Sequence, residues 1–267
     1  MKLETCCDPQ ISNFKISFFS PSIYGFFNHD LLIIIFHMKK NILITGASGN
    51  LGKATVEKFL KEGHRVIALI SPGKSLGFDF KGDLVVEEAN LTDESSTTVI
   101  IDKIVVENKS IDVALLLVGG YASGSVFETD GTQLKKMYSQ NFETAYFVAR
   151  PVFSQMSKQA SGGRIIFIGA RPAMLAKDGK SSLAYALSKS LIFKLADFLN
   201  AEGSGKNVLC SVIVPSTIDT PVNRAAMPAA DFSSWVKPEA IAEVMSFVAS
   251  DAAGTLRDTV LKVYGTA

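Results

Sequence analysis

The stretch NILITGASGNLGKATVEKFLKEG, residues 41 to 63, joins a short apolar run to an amphipathic helix through a turn rich in glycine. The apolar run ends at Thr45, and Gly46, Gly49 and Gly52 follow with G-x-x-G-x-x-G spacing. A turn of this kind lets backbone N–H groups at the start of a helix approach a pyrophosphate. We therefore predict a strand, a phosphate-binding turn and a helix, in that order. The alternative is a plain strand-to-helix turn built from small residues.

Strand-like and helix-like stretches continue to alternate after this unit. Further apolar runs are HRVIALI from residue 64, DVALLLVGG from 112, GRIIFIGA from 163 and NVLCSVIVP from 207, and we expect a helical segment after each of the last three. Continuous apolar strands separated by helices indicate a parallel sheet covered on both faces. The predicted fold class is α/β, with a doubly wound parallel sheet of the Rossmann type in a single domain. Ligands of such sheets bind at the carboxyl ends of the strands.

The composition excludes several kinds of function. The 267 residues are 47% hydrophobic and carry a formal net charge of +1, so the chain can bury a full core and lacks the basic balance that nucleic acids require. Cys6, Cys7 and Cys210 have neither disulfide-framework nor zinc spacing. We expect no metal site, no nucleic-acid partner, no membrane partner and a reducing, cytoplasmic location.

The first 37 residues differ from the rest of the chain. They contain scattered aromatic residues and the apolar run LLIIIF, from Leu31 to Phe36. This run is too short to span a bilayer, and no basic signal-peptide start precedes it. We predict that residues 1–37 are a non-core extension, upstream of a true start at Met38, and that residues 38–267 form the domain. An appended membrane anchor is the alternative.

Two polar residues stand out in SLAYALSKS, residues 182 to 190. Tyr185 and Lys189 are four residues apart in a predicted helix, so they share one face. A nearby ammonium favours the phenolate, and we expect Lys189 to lower the pKa of Tyr185 and make it a general acid or base. The alternative is a tyrosine packed between helices beside a lysine that extends to solvent.

Several motifs in one order resemble the short-chain dehydrogenase/reductase family. They are the glycine-rich turn, Gly119-Gly120 after a buried strand, Asn141, and Tyr185-x-x-x-Lys189, and they cover the chain from about Lys39 to the end. The resemblance implies a dinucleotide-binding catalytic domain that transfers hydride to a small-molecule substrate. It also implies that Tyr185 exchanges a proton with substrate, that Lys189 contacts the ribose and tunes Tyr185, and that Asn141 holds a proton-relay water. A plain helix-face amide is the alternative for Asn141.

The resemblance further implies where the dinucleotide binds. Ser71 stands where an acidic residue would bind the ribose of NADH, and Lys74 is close enough in sequence to pair with a 2′-phosphate, so NADP(H) is favoured over NAD(H). A solvated loop charge is the alternative for Lys74. The full predicted cofactor-binding set is Gly46, Ser48, Gly49, Asn50, Leu51, Gly52, Ser71, Lys74, Asn90, Leu91, Gly119, Gly120, Tyr185, Lys189, Pro215, Ile218 and Thr220.

One departure from the common family pattern narrows the substrate. Ala170 replaces the serine expected after the GRIIFIGA strand, and it has no hydroxyl to bind a carbonyl oxygen. The chain is similar, in VGGYASG, GARPAM and DTPVNRAAMPAADFSSW, to family members of the quinoid dihydropteridine reductase type. Their substrates accept hydride on a conjugated C=N system, where an oxyanion donor matters less. The resemblance implies a conjugated C=N or C=O substrate bound between Tyr121, Met174, Met227, Phe232 and Trp235.

Two other functions share part of this pattern. A non-catalytic NAD(P)-binding redox sensor fits the turn spacing and Ala170, although it would not need Tyr185 as a proton donor. An epimerase or dehydratase of nucleotide sugars shares the turn, but the chain after Met38 leaves little room for the extra substrate lobe. Relatives commonly form homodimers or homotetramers through the helices that contain Asn141 and Tyr185. The apolar LIFKLADFL, residues 191–199, fits either such an interface or the core.

Overall fold

A computed structural model describes residues 38–266. Residues 1–37, with the predictions made for the N-terminal extension, lie outside the described residues. In the described part of the chain, no helix is both long enough and apolar enough to cross a bilayer.

A seven-stranded sheet forms the centre of the domain, and every strand pair in it is parallel. Its spatial order is β3-β2-β1-β4-β5-β6-β7, so the chain builds outward from β1 and then returns to β1's other side with β4. This order confirms the predicted doubly wound Rossmann-type sheet. The strands are β1 Asn41–Thr45, β2 Arg65–Ile70, β3 Asp83–Glu88, β4 Val113–Leu116, β5 Gly163–Ile168, β6 Val208–Pro215 and β7 Thr259–Val263.

Helices cover both faces of the sheet. The helices are α1 Asn50–Lys61, α2 Glu94–Asn108, α3 Gly131–Tyr138, α4 Thr144–Met156, α5 Arg171–Met174, α6 Ala176–Gly179, α7 Leu183–Glu202, α8 Pro221–Ala226 and α9 Pro238–Ala249. A π-helical turn, Ser139–Glu143, joins α3 to α4, and short 3-10 turns span Phe232–Ser234 and Asp251–Ala253. Helices α1 and α9 pack on one face, and α2, α4 and α7 pack on the other.

Alternate residues of a strand pack into two separate cores, one on each face of the sheet. Both faces are therefore apolar, and the strand appears in the sequence as a continuous apolar run. In β1, Leu43 packs under α2, α4 and α7, whereas Ile42 and Ile44 pack under α1 and α9, and all three are fully buried. A strand with both faces covered must be apolar at every position. The same alternation is why the sequence pattern located β1, β2, β4, β5 and β6.

The connection from β2 to β3 differs from the other connections of the sheet, each of which contains a helix. Residues 71–82 form a loop without a helix, and Leu76 and Phe80 in this loop pack on the core beneath α1. The sheet's two edge strands, β3 and β7, were not identified from the sequence. Their faces are only partly covered, so their sequences DLVVEE and TVLKV lack a continuous apolar run.

Helix α7 contains the LIFKLADFL stretch, and one side of that stretch faces the core, whereas its role in an interface stays a prediction. Ile192 and Leu195 are buried in the core, whereas Phe198 is 70% exposed on the outer side. The helix therefore supplies core contacts and also leaves apolar surface uncovered.

Candidate active site

The predicted dinucleotide-binding residues lie at the carboxyl ends of β1, β2, β3, β4 and β6. Because all strands are parallel, these ends share one edge of the sheet, at the point where the strand order reverses between β1 and β4. This edge is where ligands bind in doubly wound folds. The structure thus places together segments that are more than 150 residues apart along the chain, such as the 46–52 turn and Pro215.

The turn between β1 and α1 approaches its own helix very closely. Gly46 adopts a φ of +65°, which favours glycine, and Gly49 donates its backbone N–H to the Gly46 carbonyl at 3.0 Å. A Cβ on Gly52 would lie 2.2 Å from the Gly46 carbonyl oxygen and 2.7 Å from the Cα of Ala47. The close turn needs glycine at position 52 for this reason.

The start of α1 is open to an anion. Gly49 occupies the N-cap position, so no side chain caps the helix, and no acidic residue lies in its first turn. The first N–H groups of a helix and its dipole favour negative charge at that end. The half-buried Ser48 and the exposed Asn50 flank this position. The turn and the helix start together fit the pyrophosphate of a dinucleotide.

Lys189 and Tyr185 lie on α7 beside this edge, but the pKa of Tyr185 differs from the expectation. Burial, together with the smaller effect of the neighbouring Tyr121, raises the pKa of Tyr185 to about 12. Burial also lowers the pKa of Lys189 to about 8. The prediction that Lys189 lowers the pKa of Tyr185 is therefore wrong for this structure, because removing the phenol from water outweighs any effect of the ammonium.

Lys189 is held by the backbone at the end of β5. Its Nζ donates to the Ile168 carbonyl oxygen at 2.9 Å, and the side chain is 5% exposed. A Cβ on Gly119 would lie 3.1 Å from this Nζ. The end of β4 therefore runs directly past the ammonium, and glycine at position 119 provides the space.

Asn141 joins the end of β4 to α7. It is buried within the π-helical turn, its Oδ1 accepts from the Gly120 N–H at 2.9 Å, and its Nδ2 donates to the Gly120 carbonyl at 3.1 Å and to Ser188 Oγ at 3.0 Å. Single π-helical turns are often found at functional sites. Both Nδ2 hydrogens have partners, so the side chain acts as a positioning group here, and its role in holding a relay water stays a prediction.

The adenine-side residues lie on exposed turns at the ends of β2 and β3. Lys74 closes a turn by donating its N–H to the Ser71 carbonyl at 3.0 Å, and both residues are exposed. Lys74 has no ion pair within the described residues. The exposed Asn90 accepts hydrogen bonds from Thr92, and Leu91 beside it is buried.

The predicted substrate-side residues divide into two groups. The Tyr121 ring meets the Tyr185 ring edge-on, with 5.1 Å between centroids, so these two phenols form one aromatic corner. Met174 lies on α5, where its sulfur is 4.0 Å from the Tyr264 hydroxyl. Met227, Phe232 and Trp235 lie on the segment between β6 and α9, which we call the lid (residues 217–236).

The two ends of the lid contact each other, and further contacts lie within the lid. Ile218 pairs with Val236, and Thr220 caps α8 by accepting from the Asn223 N–H at 3.2 Å. Arg224 pairs with Asp219 through two hydrogen bonds of 2.6 and 2.8 Å. The Arg224 guanidinium also lies 4.8 Å from the Phe232 ring centre, and Phe232 packs on Trp235 at 4.8 Å. The lid aromatics therefore contact one another rather than the Tyr121–Tyr185 corner.

Sequence reasoning missed Ser188 and Arg171. Ser188 Oγ accepts from Asn141 and donates to the Tyr185 carbonyl at 2.8 Å, so it links the two halves of the site. Its position directly before Lys189 was the available signal. Arg171 follows Ala170, pairs with Asp178 at 2.8 Å and lies 5.5 Å from the Tyr264 ring centre. Only the fold brings Tyr264 to this position.

The buried Lys189 has a consequence for stability that can be measured. In the unfolded chain this lysine titrates near 10.5, so between pH 8 and pH 10.5 the unfolded state binds more protons and native stability rises with pH. Below pH 8 the native state carries the full cost of a buried charge. We expect Lys189→Met to be more stable than the wild type at pH 7, and its advantage to shrink as the pH rises through this window.

Urea unfolding at several pH values tests this expectation. Lys194→Met is the matched control, because Lys194 is on the same helix but its side chain is 72% exposed and paired with Asp197. The control should show no comparable change with pH. A Lys189→Met variant that is less stable than the wild type at pH 7 would show that the ammonium stabilises the fold.

Comparisons with known proteins agree with this geometry. The sequence profile of the short chain dehydrogenase family matches residues 40–231. The chain is 25% identical over 246 residues to the 3-oxoacyl-[acyl-carrier-protein] reductase FabG of Thermotoga maritima, which covers 85% of this chain and 96% of that protein. It is 26% identical over 212 residues to the dihydropteridine reductase of Dictyostelium discoideum, covering 77% of this chain and 86% of the relative.

A solved structure of ElxO with NADP bound shares the fold. It superimposes with a TM-score of 0.78 at 24% identity and covers 85% of this chain and 98% of ElxO. The family profile spans most of the chain, and both the sheet order and the glycine-rich turn after β1 agree with it. The protein is therefore a member of the short chain dehydrogenase family and an NAD(P)-dependent oxidoreductase.

Proposed function

We propose that this enzyme reduces a conjugated C=N or C=O bond and that Tyr185 donates the proton. The observation that carries the proposal is the edge-on contact between the rings of Tyr185 and Tyr121. This contact lies beside the edge of the sheet where the cofactor would bind. With its pKa raised to about 12, Tyr185 keeps its proton throughout the neutral range. A protonated phenol suits reduction, whereas oxidation would need a phenolate to accept the proton.

The residues at the sheet edge fit a nicotinamide dinucleotide, which supplies the hydride when it is bound. The turn from Gly46 to Gly52 would hold the pyrophosphate, because Cβ atoms are absent where they would close the turn. Gly119 and Gly120, with Pro215 and Ile218, would border the nicotinamide end. Lys189, whose ammonium lies beside Gly119, would hold the ribose.

Asn141 and Ser188 link the proton donor to the end of β4. Asn141 fixes Gly120 and Ser188, and Ser188 in turn donates to the Tyr185 carbonyl. Lys189 is fixed by Ile168. These contacts hold Tyr185 and Lys189 relative to the end of β4, so the protein need not order them when substrate binds.

Ala170 supports a substrate that does not need an oxyanion donor. It is buried at the N-cap of α5, in extended conformation, and offers no side-chain hydrogen bond. Losing one such donor typically costs about 100- to 1,000-fold in the rate of carbonyl chemistry. Hydride transfer to a conjugated C=N bond avoids a full oxyanion. The dihydropteridine reductase of Dictyostelium discoideum is among the relatives, and a quinonoid dihydropterin is the substrate we propose.

NADP(H) is the proposed preferred cofactor. Ser71 follows β2 without a carboxylate of its own, and Lys74, which has no ion pair within residues 38–266, lies on the same exposed turn. An ammonium at this place attracts the 2′-phosphate of NADPH.

The experiment that tests the function follows the oxidation of NADPH and NADH with freshly generated quinonoid dihydropterin and with a 3-oxoacyl thioester. We expect kcat/KM for the pterin to exceed that for the thioester by about 100-fold, because Ala170 offers no oxyanion donor. Faster turnover of the thioester would contradict the proposed substrate class. Tight cofactor binding without turnover of either compound would instead support the redox-sensor alternative.

We also propose that the protein is a homodimer or homotetramer. Apolar and aromatic side chains line an open cavity of about 620 Å³ between α3 and α7, including Leu134, Tyr138, Leu187 and Leu191. Leu187 is 49% exposed and Leu134 is 42% exposed, so a second copy would cover them. The mass of the protein in solution tests this proposal. Location in the cytoplasm also stays a proposal.

A further inference from the structure

A carboxylate lies beside the end of β2 although the sequence of β2 contains none. The register of the two strands pairs Ile70, the last residue of β2, with Glu88, the last residue of β3. Side chains of paired residues project to the same face of a sheet. Glu88 therefore projects beside Ile70, on the face that α1 covers.

A hydrogen bond shows that this carboxylate reaches the turn after β2. The Gly73 N–H donates to Glu88 Oε2 at 3.1 Å. Gly73 belongs to the same turn as Ser71 and Lys74, which the Lys74 N–H closes on the Ser71 carbonyl. Glu88 and Lys74, with Ile70, line one open cavity of about 700 Å³ beneath this turn. No ion pair joins Lys74 to Glu88 in the described part of the chain, so neither charge neutralises the other directly.

The turn after β2 lies where a bound dinucleotide would place its adenosine ribose. In dinucleotide-binding folds an acidic residue at the end of the second strand accepts hydrogen bonds from the ribose hydroxyls of NAD, whereas a basic residue nearby accommodates the 2′-phosphate of NADP. Here the basic residue comes from the turn after β2, and the acidic residue comes from the neighbouring strand. Both groups are within reach of the same turn.

We propose that Glu88 determines cofactor specificity by opposing Lys74. Its carboxylate accepts a hydrogen bond from the ribose 2′-hydroxyl of NADH and repels the 2′-phosphate of NADPH. The preference for NADPH that Ser71 and Lys74 provide is therefore smaller than those two residues alone would give. This inference rests on the proposed cofactor binding, but not on the identity of the substrate.

The test is Glu88→Gln, compared with Glu87→Gln. Gln at position 88 keeps an oxygen that can accept from the Gly73 N–H and removes only the charge. Glu87 is the preceding residue of β3, projects to the opposite face and pairs there with Lys103 of α2 at 2.7 Å. Both variants lose one negative charge from the same strand, so a general change in net charge affects them equally.

Dissociation constants for NADPH and NADH are measured by titrating nicotinamide fluorescence, without any substrate. Glu88→Gln is expected to raise the ratio Kd(NADH)/Kd(NADPH) about tenfold, the size expected for one charge a few ångströms from a phosphate in a solvated site. The shift should shrink at high salt, because salt screens exposed charges. Glu87→Gln is expected to leave the ratio unchanged.

Two results would overturn the proposal. One is a ratio for Glu88→Gln within about twofold of the wild type, and the other is an equal shift in Glu87→Gln. The wild-type ratio separately reports the preference proposed from Ser71 and Lys74. A wild type without NADPH preference, in which Glu88→Gln still shifts the ratio, would contradict that preference and leave the role of Glu88 intact.

Discussion

Tyr185→Phe is expected to lower kcat for the pterin about 100- to 10,000-fold, the usual contribution of a positioned proton donor. Cofactor affinity should change little, because the change removes one oxygen from the ring. Within the described residues the Tyr185 hydroxyl has no hydrogen-bond partner, and its ring packs on Tyr121 at 5.1 Å. A phenylalanine keeps this packing, so the fold should be as stable as the wild type. Steady-state NADPH oxidation and fluorescence titration measure the two effects separately.

Tyr121→Phe is the matched control for this prediction. Tyr121 belongs to the same aromatic corner, is 67% exposed and loses the same hydroxyl group. If Tyr185 alone donates the proton, Tyr121→Phe should keep kcat within about tenfold of the wild type, since loss of a hydrogen bond to substrate costs no more than about 1.5 kcal/mol. Equal losses in both variants would mean that the two phenols share the role. Full activity in Tyr185→Phe would remove Tyr185 from the mechanism.

Gly52→Ala is expected to have the largest effect on cofactor binding. The new Cβ would lie 2.2 Å from the Gly46 carbonyl oxygen and 2.8 Å from the Ala47 carbonyl carbon, both of them backbone atoms that no side-chain rotation can move. The turn must shift away from α1. A displacement of about 1 Å at a binding site typically costs about 100-fold, so we expect NADPH affinity to fall by about that factor. The overpacking should also destabilise the fold by about 1–3 kcal/mol, or about 2–12 °C in Tm.

Gly131→Ala is the control for this prediction. Gly131 is the first residue of α3, and a Cβ there would meet no atom within 4 Å. The substitution should leave cofactor affinity unchanged and raise stability slightly, by about 0.4–1 kcal/mol, because alanine has fewer unfolded conformations to lose. If Gly52→Ala binds NADPH as tightly as Gly131→Ala does, the close approach of the turn to α1 is not needed for binding.

The pattern of the sequence was sufficient for the inner part of the fold. Strands β1, β2, β4, β5 and β6 are buried on both faces, and the resulting apolar runs are visible in the sequence itself. Edge strands β3 and β7 were not identified because solvent reaches part of each of them, so their sequences lack a continuous apolar run. Residues 71–82, between β2 and β3, form a loop that buries Leu76, and a single buried leucine gives no periodic signal.

For the candidate site too, features that depend on neighbouring residues could be predicted from the sequence, and features that depend on the fold could not. Spacing within one turn and on one helix face predicted the glycine turn, Tyr185 and Lys189 as candidates, and the family resemblance added Asn141. The pKa of Tyr185 was predicted in the wrong direction, because a local pattern shows the neighbouring lysine but not how deeply the phenol is buried. The sequence also could not show that the Asn141 amide is already occupied by Gly120 and Ser188.

The sequence alone was enough to predict the parallel sheet, the glycine-rich turn after β1 and the residue types available for proton transfer, because each leaves a pattern among neighbouring residues. Which groups from distant segments meet became visible only in the folded chain. The register of β3 on β2 places Glu88 beside the turn that contains Lys74, and α7 places Lys189 against Gly119. Strand register and helix packing are set by how the whole core fills its volume, and this information is spread over the entire chain.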